Sequence, residues 1–432
     1  MTNQEEIKTY IRFGVHKDRD VLQNCADDFN GIVIPAHILA YSPEPTVAMI
    51  TYISKSYFID PMTYIYKYNY KSYITHDKDK KKKFKPSIHK LTESYNLTDF
   101  FITKDFAPLR PADFTDQFIK KLLSSTINFQ KSKVNQTLES SIKRYEDLLK
   151  KINIDYPDEA GDKDYEPLFY TLPYFDFNDH KDDWFEINKR IFEISKANFS
   201  DSNPVPILAF KKSALDEYKQ ILAPFKDAPK LLFWIDNFDE RKSDCDTLKK
   251  YRNFVQYAAY ELGISITNLY GSYYSLLLTK LGLKGVSHGI YYGESKSIKT
   301  EIGGIPPSRY YIEPLHGFLT IPSTIALIKE SPELLCDCEN VCKEFVAGDI
   351  ERIYEFDKNY DRAQRHFLCM RQREIKDIRD SDLNTLFNNL NKTYQEYKDK
   401  VSLPQGNTFL TDKGIDYIKN WSLAIQDKCN EA

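Results

Sequence analysis

Long apolar runs are missing. No stretch of the 432 residues approaches the roughly 18 that mark a membrane-spanning helix, so no membrane association is expected. The opening MTNQEEIKTYIRFG has neither a basic n-region nor an apolar h-region, so a secretory signal is not expected either. Glycine is scarce at 15 residues, and no G-x-G-x-x-G follows the first apolar run, which removes the usual mark of a dinucleotide-binding sheet. Neither charge sign dominates: 60 Lys plus Arg against 63 Asp plus Glu leave a net charge of -3. A polyanion would therefore have to be held by a local basic face. No fixed-period repeat is present. The seven cysteines are an odd number, and Cys336, Cys338, Cys342 and Cys369 lie close together. That clustering predicts a reduced compartment and a metal site rather than a disulfide framework.

What is present describes a globular chain with ample core, 41% hydrophobic and 28% charged. The surplus of Tyr (31) and Phe (27) is first a statement about packing. Apolar, β-branched or aromatic runs recur at 31–36, 55–60, 167–175, 204–210, 230–236, 264–270, 285–291 and 309–315. Most are continuous rather than alternating, as in parallel strands buried on both faces. Helix-period stretches such as 211–224 and 242–262 lie between them. Eight such units predict an α/β fold, a (β/α)8 TIM-like barrel of roughly 250 residues plus insertions, with an open doubly wound sheet as the rival. The expected organisation is a barrel over 1–325 with a helical insertion at about 77–160, then a zinc-binding helical subdomain over 326–432. The insertion holds a lysine-rich loop at 77–90 and two helices within 111–152; a third helix is expected near 380–400.

Three patterns carry chemistry. Cys336, Cys338 and Cys342 with His366 offer three thiolates and an imidazole, a tetrahedral zinc set of the structural kind; Cys369 is the weaker choice for the fourth place. Incidental buried cysteines are the alternative. Asp60, Asp176 and Asp236 each follow an apolar run, where a barrel places catalytic groups, with Asp239 and Glu240 in the same loop as Asp236. A pair of carboxylates at one mouth suits glycosyl chemistry, although an aspartate there also caps turns. The run Gly285 to Glu294, with His288, Gly289, Tyr292 and Gly293, would let backbone groups approach a planar ligand, or simply form a strand with turn glycines. His288 and His316 alone read more readily as core histidines. The tyrosines of 63–73 and Lys80 to Lys83 suit base stacking and phosphate contact, or packing and a solvated loop.

Together these residues resemble the tRNA-guanine transglycosylase superfamily, barrels with a C-x-C-x2-C zinc subdomain and a histidine about 25 residues on. Here the pattern is C-x-C-x3-C, then His366 and the helix HFLCMRQREIKDIRD. GVSHGIYYGES resembles the family's glycine-rich strand ending in Gly-Glu, SRYYIEP the Arg-Tyr strand after it, and YFIDP the aspartate loop. The Ser-Gly-Gly-Phe-Gln after that aspartate is replaced by Pro61-Met62-Thr63-Tyr64, and the late Asp-Cys-Val nucleophile motif is absent. The branch most resembled acts on DNA, the 7-deazaguanine DNA transglycosylases of phages and bacterial modification islands.

The resemblance implies exchange of guanine in DNA for a free 7-deazaguanine base such as 7-cyano-7-deazaguanine, in the cytoplasm of a bacterial or phage-infected cell. tRNA is the alternative polymer, and a non-catalytic, zinc-stabilised nucleic-acid-binding protein is the alternative of another class. Asp236 is expected as nucleophile on positional grounds and Asp60 as proton shuttle. Asp176, His288, Gly289, Tyr292, Gly293 and Glu294 are expected to bind substrate, with the basic loop and the 111–152 helices on the polynucleotide backbone. A partner ATPase and a homodimer are compatible with the family.

Overall fold

Short runs rich in β-branched and aromatic residues form eleven strands among the described residues. These are β1 (Lys8–Arg12), β2 (Gly31–Pro35), β3 (Ser56–Asp60), β4 (Ile74–His76), β5 (Lys82–Phe84), β6 (Ile207–Lys211), β7 (Lys230–Asp236), β8 (Ser265–Asn268), β9 (Gly285–Gly289), β10 (Arg309–Ile312) and β11 (Gly317–Thr320). The computed structural model describes residues 7–14, 18–25, 29–69, 73–76, 82–151, 165–291, 293–299, 308–357, 359–401 and 414–431. A mixed α/β architecture results, with seven strands hydrogen-bonded in the order β3-β2-β1-β9-β8-β7-β6. The β2–β3, β7–β8 and β8–β9 pairs are parallel. By contact density the chain divides into two units. One holds Met1–Ile11, Asn24–Asn30 and Phe210–Ala432; the other holds Arg12–Gln23 and Gly31–Ala209.

In the second unit, β2 and β3 are buried throughout except at Ser56. The expected strand at 167–175 forms no ladder, only a parallel bridge from Thr171 to Val205. Pro167 and Pro173 have no N–H to give, which explains the interruption. The segment still runs between β3 and β6: Leu168 N–H donates to Tyr57 O at 2.6 Å, and Leu172 and Phe177 N–H donate to Val205 O and Ala209 O at 2.9 and 3.1 Å. Side-chain amides complete its backbone bonding. Gln130 both donates to Thr171 O and accepts from its N–H, each at 2.8 Å. Asn188 does the same for Phe175, at 2.6 and 2.9 Å. The insertion contains the antiparallel β4–β5 pair and a helix Asp116–Lys151. That helix is single, where two were expected. No glycine or proline interrupts it, and Ser132, Thr137 and Ser140 bond back to carbonyls four residues earlier. Residues 77–81 of the lysine-rich loop lie outside the described residues.

In the first unit, β7 buries every residue after Lys230, and β8 and β9 bury nearly all of theirs. The run at 309–315 is not a further parallel strand. β10 pairs antiparallel with β11, because Pro314 and the left-handed His316 (φ 49°) turn the chain back at Gly317. Within the seven-stranded sheet the strand that the expected set lacked is β1, whose TYIR is too short and polar-flanked to stand out; β4, β5 and β11, which lie in the two antiparallel pairs, were also not among the expected runs. Helices follow at Ile321–Glu330, Tyr360–Asp380, Leu383–Tyr397 and Asp416–Gln426. No helix among the described residues is long and apolar enough to cross a membrane. Against the expectation of free thiols, Cys245 and Cys429 form a disulfide.

Candidate metal centre and carboxylate sites

The cysteine knuckle is built by local hydrogen bonds. Cys338 N–H donates to Cys336 Sγ at 3.2 Å, and Cys342 N–H to Cys338 Sγ at 3.3 Å, so Cys338 caps the helical turn Glu339–Val346. His366, from the first turns of the Tyr360–Asp380 helix, brings Nδ1 to 3.4 Å from Cys342 Sγ and 3.7 Å from Cys338 Sγ. The ligand atoms of Cys336, Cys338, Cys342 and His366 all lie within 4.8 Å of one another. His366 Nε2 lies 2.8 Å from Tyr311 O. A proton there leaves the Nδ1 lone pair facing the thiols, the outer-shell arrangement typical of a metal-bound histidine. Tyr310 adds its hydroxyl to Cys342 Sγ at 3.1 Å and stacks on the His366 ring. These four residues can hold a metal ion, and three thiolates with an imidazole is a donor set compatible with zinc. Cys369 stays outside the four, as expected, and the exposed Asp337 pairs with Arg373 at 2.8 Å.

One helical face carries His366; another carries Phe367, Arg371 and Glu374 at the i, i+4, i+7 spacing that aligns side chains. Arg371, fully buried, ion-pairs with Glu294 and reaches Glu374 at 3.0 Å. Arg241 holds the other oxygen of Glu294 at 2.8 Å. Burial pushes the Glu294 carboxyl up, and the two guanidinium groups pull it back. Glu374 also accepts from Tyr311 Oη and lies against His316 Nδ1, each at 2.6 Å. Burial, then Glu374, pushes the nearby Glu313 up to about 7.

The glycines before Glu294 meet each other. Gly289 N–H donates to Gly293 O at 3.0 Å, and a Cβ on either would come within 2.9 Å of the other's backbone. The close approach that demands glycine here closes the loop on itself. His288 Nδ1 lies 2.7 Å from Gly289 O, and its buried Nε2 has no hydrogen-bond partner among the described residues. Burial, then the Arg371 charge, depresses His288 to about 3, so the ring is neutral. Tyr292 lies outside the described residues.

Asp236 ends β7 and is held at both oxygens. Oδ1 accepts Ile298 N–H at 2.6 Å, and Oδ2 ion-pairs with Lys211, the last residue of β6. Asn237 follows in the left-handed region (φ 52°) and donates to Lys296 O at 2.7 Å, fixing the strand end. Asp239 accepts Arg241 N–H at 3.0 Å. Glu240 accepts Ser272 and Ser275 N–H, each at 3.1 Å, capping the Tyr273–Leu278 helix. Capping is therefore the role the structure gives Glu240.

In the second unit, Asp60 ends β3, buried, with Oδ2 on Arg12 at 3.0 Å. Its Oδ1 accepts Tyr174 Oη and Met62 N–H at 3.0 and 3.1 Å. Asp176 Oδ2 accepts Lys67 Nζ at 3.1 Å and Tyr68 Oη at 2.5 Å, while its Oδ1 is buried without a hydrogen bond among the described residues. Lys67 lies over the Tyr68 and Trp184 rings. The cationic partners Arg12, Lys67, Lys211, Arg241 and Arg371 were not among the residues expected from sequence. Lys211 carries the signal that marked the aspartates, a charged residue ending an apolar strand.

No protein-family model, curated protein or solved structure matches the chain.

Proposed function

We propose that this chain is a DNA-guanine transglycosylase, a zinc-stabilised (β/α)8 barrel that replaces guanine with a 7-deazaguanine base. The observation that carries the reading is the Tyr360–Asp380 helix, which joins the two family-like motifs. It supplies His366 to the cysteine knuckle and Arg371 to the Glu294 of the Gly-Glu strand. The segment 168–177, whose backbone bonds to Tyr57 of β3 and to Val205 and Ala209, supports the barrel part of the reading.

In the proposed reaction Asp236 attacks C1′ of a flipped-out nucleotide. A carboxylate oxygen forms the new bond as the C1′–N9 bond breaks, and its electron pair leaves with guanine, which takes a proton from Asp60. The incoming base returns a proton to Asp60, attacks C1′ and releases Asp236. Glu294 and Asp176 recognise the base edge, and a bound zinc ion has a structural part only. DNA is the favoured polymer, with tRNA the alternative; a free 7-deazaguanine, a partner ATPase and a homodimer complete the proposal.

The test is incorporation of labelled guanine, then labelled 7-cyano-7-deazaguanine, into duplex DNA and tRNA side by side, with zinc content measured. Label in DNA alone is expected. Asp236→Asn should lose exchange by on the order of 10,000-fold, the scale of losing one member of a catalytic unit, while keeping zinc and fold. Label in tRNA alone changes the polymer. No label in either, with zinc at one per chain and host lysate added, leaves a nucleic-acid-binding protein without catalysis.

A further inference from the structure

Two strand ends meet in the first unit with opposite charges. Lys211 closes β6 and Asp236 closes β7, and their side chains form an ion pair. The two partners differ in freedom. Asp236 is only 6% exposed and its Oδ1 is fixed by Ile298 N–H, whereas the Lys211 side chain is 37% exposed. One carboxylate oxygen is thus bound to a backbone N–H and the other to the ammonium of a partly exposed side chain. An arginine here would clamp both oxygens; a lysine makes a single-point contact that an incoming electrophile can displace.

We infer that Lys211 is a positioning residue for Asp236. It holds Oδ2 aimed along one direction until the attack, and then gives the oxygen up. The inference rests on the transglycosylase reading and adds a residue to it. In the covalent step the Asp236 oxygen bonds to C1′, the C1′–N9 pair leaves on guanine, and the Asp236 negative charge disappears into the ester. Lys211 keeps its proton throughout and loses its ionic partner, so it returns to Oδ2 when the incoming base frees the carboxylate. Lys211 therefore acts on the rate of covalent capture and not on affinity for the free base.

The experiment is single-turnover capture of a labelled guanine-containing duplex, with the glycosyl-enzyme trapped by denaturation, in wild type, D236N, K211M, K211R and K211A. K211M is expected to slow capture by about 100-fold, as misplacement of a reacting group does, with KM for free guanine unchanged. K211R should recover part of the loss, and added ethylammonium should speed K211A but not K211M. Equal melting temperatures of K211M and wild type guard against misfolding. K211M capture at the wild-type rate, or K211A loss that neither ethylammonium nor K211R relieves, overturns the inference while the reading stands. Absence of capture in wild type overturns the reading and the inference together, whereas capture by D236N moves the nucleophile elsewhere, with Asp176 or Asp239 next in line, and overturns the inference alone.

Discussion

At the scale of single residues, burial decides what the charged groups of the first unit can do. His288 is the clearest case. Its Nδ1 is committed to Gly289 O, its Nε2 is enclosed, and burial with the Arg371 charge beside it lowers its pKa to about 3. The unfolded chain takes up that proton near its ordinary value of 6.5. Below pH 6.5 the unfolded state therefore binds a proton that the folded state refuses. Stability is present above 6.5 and is lost as pH falls toward 3, at about 1.4 kcal/mol per pH unit. Glu313 works the other way: raised to about 7 from 4.5, it favours the folded state at low pH, and that contribution is lost as pH rises through 7. The two slopes oppose each other between 4.5 and 6.5, so the wild-type profile alone does not separate them. Replacing His288 with Gln should raise stability at pH 5 relative to pH 7.5, measured by urea denaturation against wild type at both pH values. An identical difference in the two proteins would mean that His288 titrates freely.

At the scale of elements, the least regular strand is held in the most specific way. The 168–177 segment follows Pro167 and loses a donor at Pro173, and the amides of Gln130 and Asn188 take the place of a neighbouring strand at Thr171 and Phe175. Asn188→Leu would leave Phe175 N–H and C=O buried without partners, at roughly 1–3 kcal/mol for each orphaned group. Asn198→Ala, on the exposed side of the same helix, should stay within about 0.5 kcal/mol. Equal effects of the two substitutions in chemical denaturation would refute the strand-mimic role. This element also shows what sequence conveys and what it hides. The apolar runs of β2, β3 and β6 to β9 were legible because strands buried on both faces are continuous in composition. The cysteine–histidine set was legible because its ligands lie close together in the chain. Arg371, Glu374 and Lys211 were not legible, since their meaning comes from partners 77, 63 and 25 residues away. β10 was misassigned because a Tyr-rich run looks alike whether its neighbour is parallel or folds back at His316-Gly317.

At the scale of the whole molecule, the chain's last turns return to its middle. Arg252 donates from Nη1 to Ala424 O and Ile425 O at 2.9 and 3.0 Å, satisfying carbonyls at the end of the Asp416–Gln426 helix. Trp421 donates to Glu240 O at 3.0 Å. The Cys245–Cys429 bond, with a sequence separation of 184, covalently closes the same contact. Spacing could not announce this pair, because seven cysteines with three in one knuckle and a fourth at 369 point to metal first. A thiol titration in denaturant with chelator decides whether the bond forms: five thiols before reduction and seven after are expected. Closing so long a loop restricts the unfolded chain by up to about 5 kcal/mol. Reduction should therefore lower the urea midpoint, though by less than that ceiling if the reduced unfolded chain keeps residual structure. Cys429→Ser should match the reduced wild type and show no further response to reductant. Seven thiols before reduction would place the whole docking of the C-terminal helix on Arg252, Trp421 and the apolar face of that helix. The urea midpoint would then be indifferent to reductant and sensitive to Arg252→Met instead.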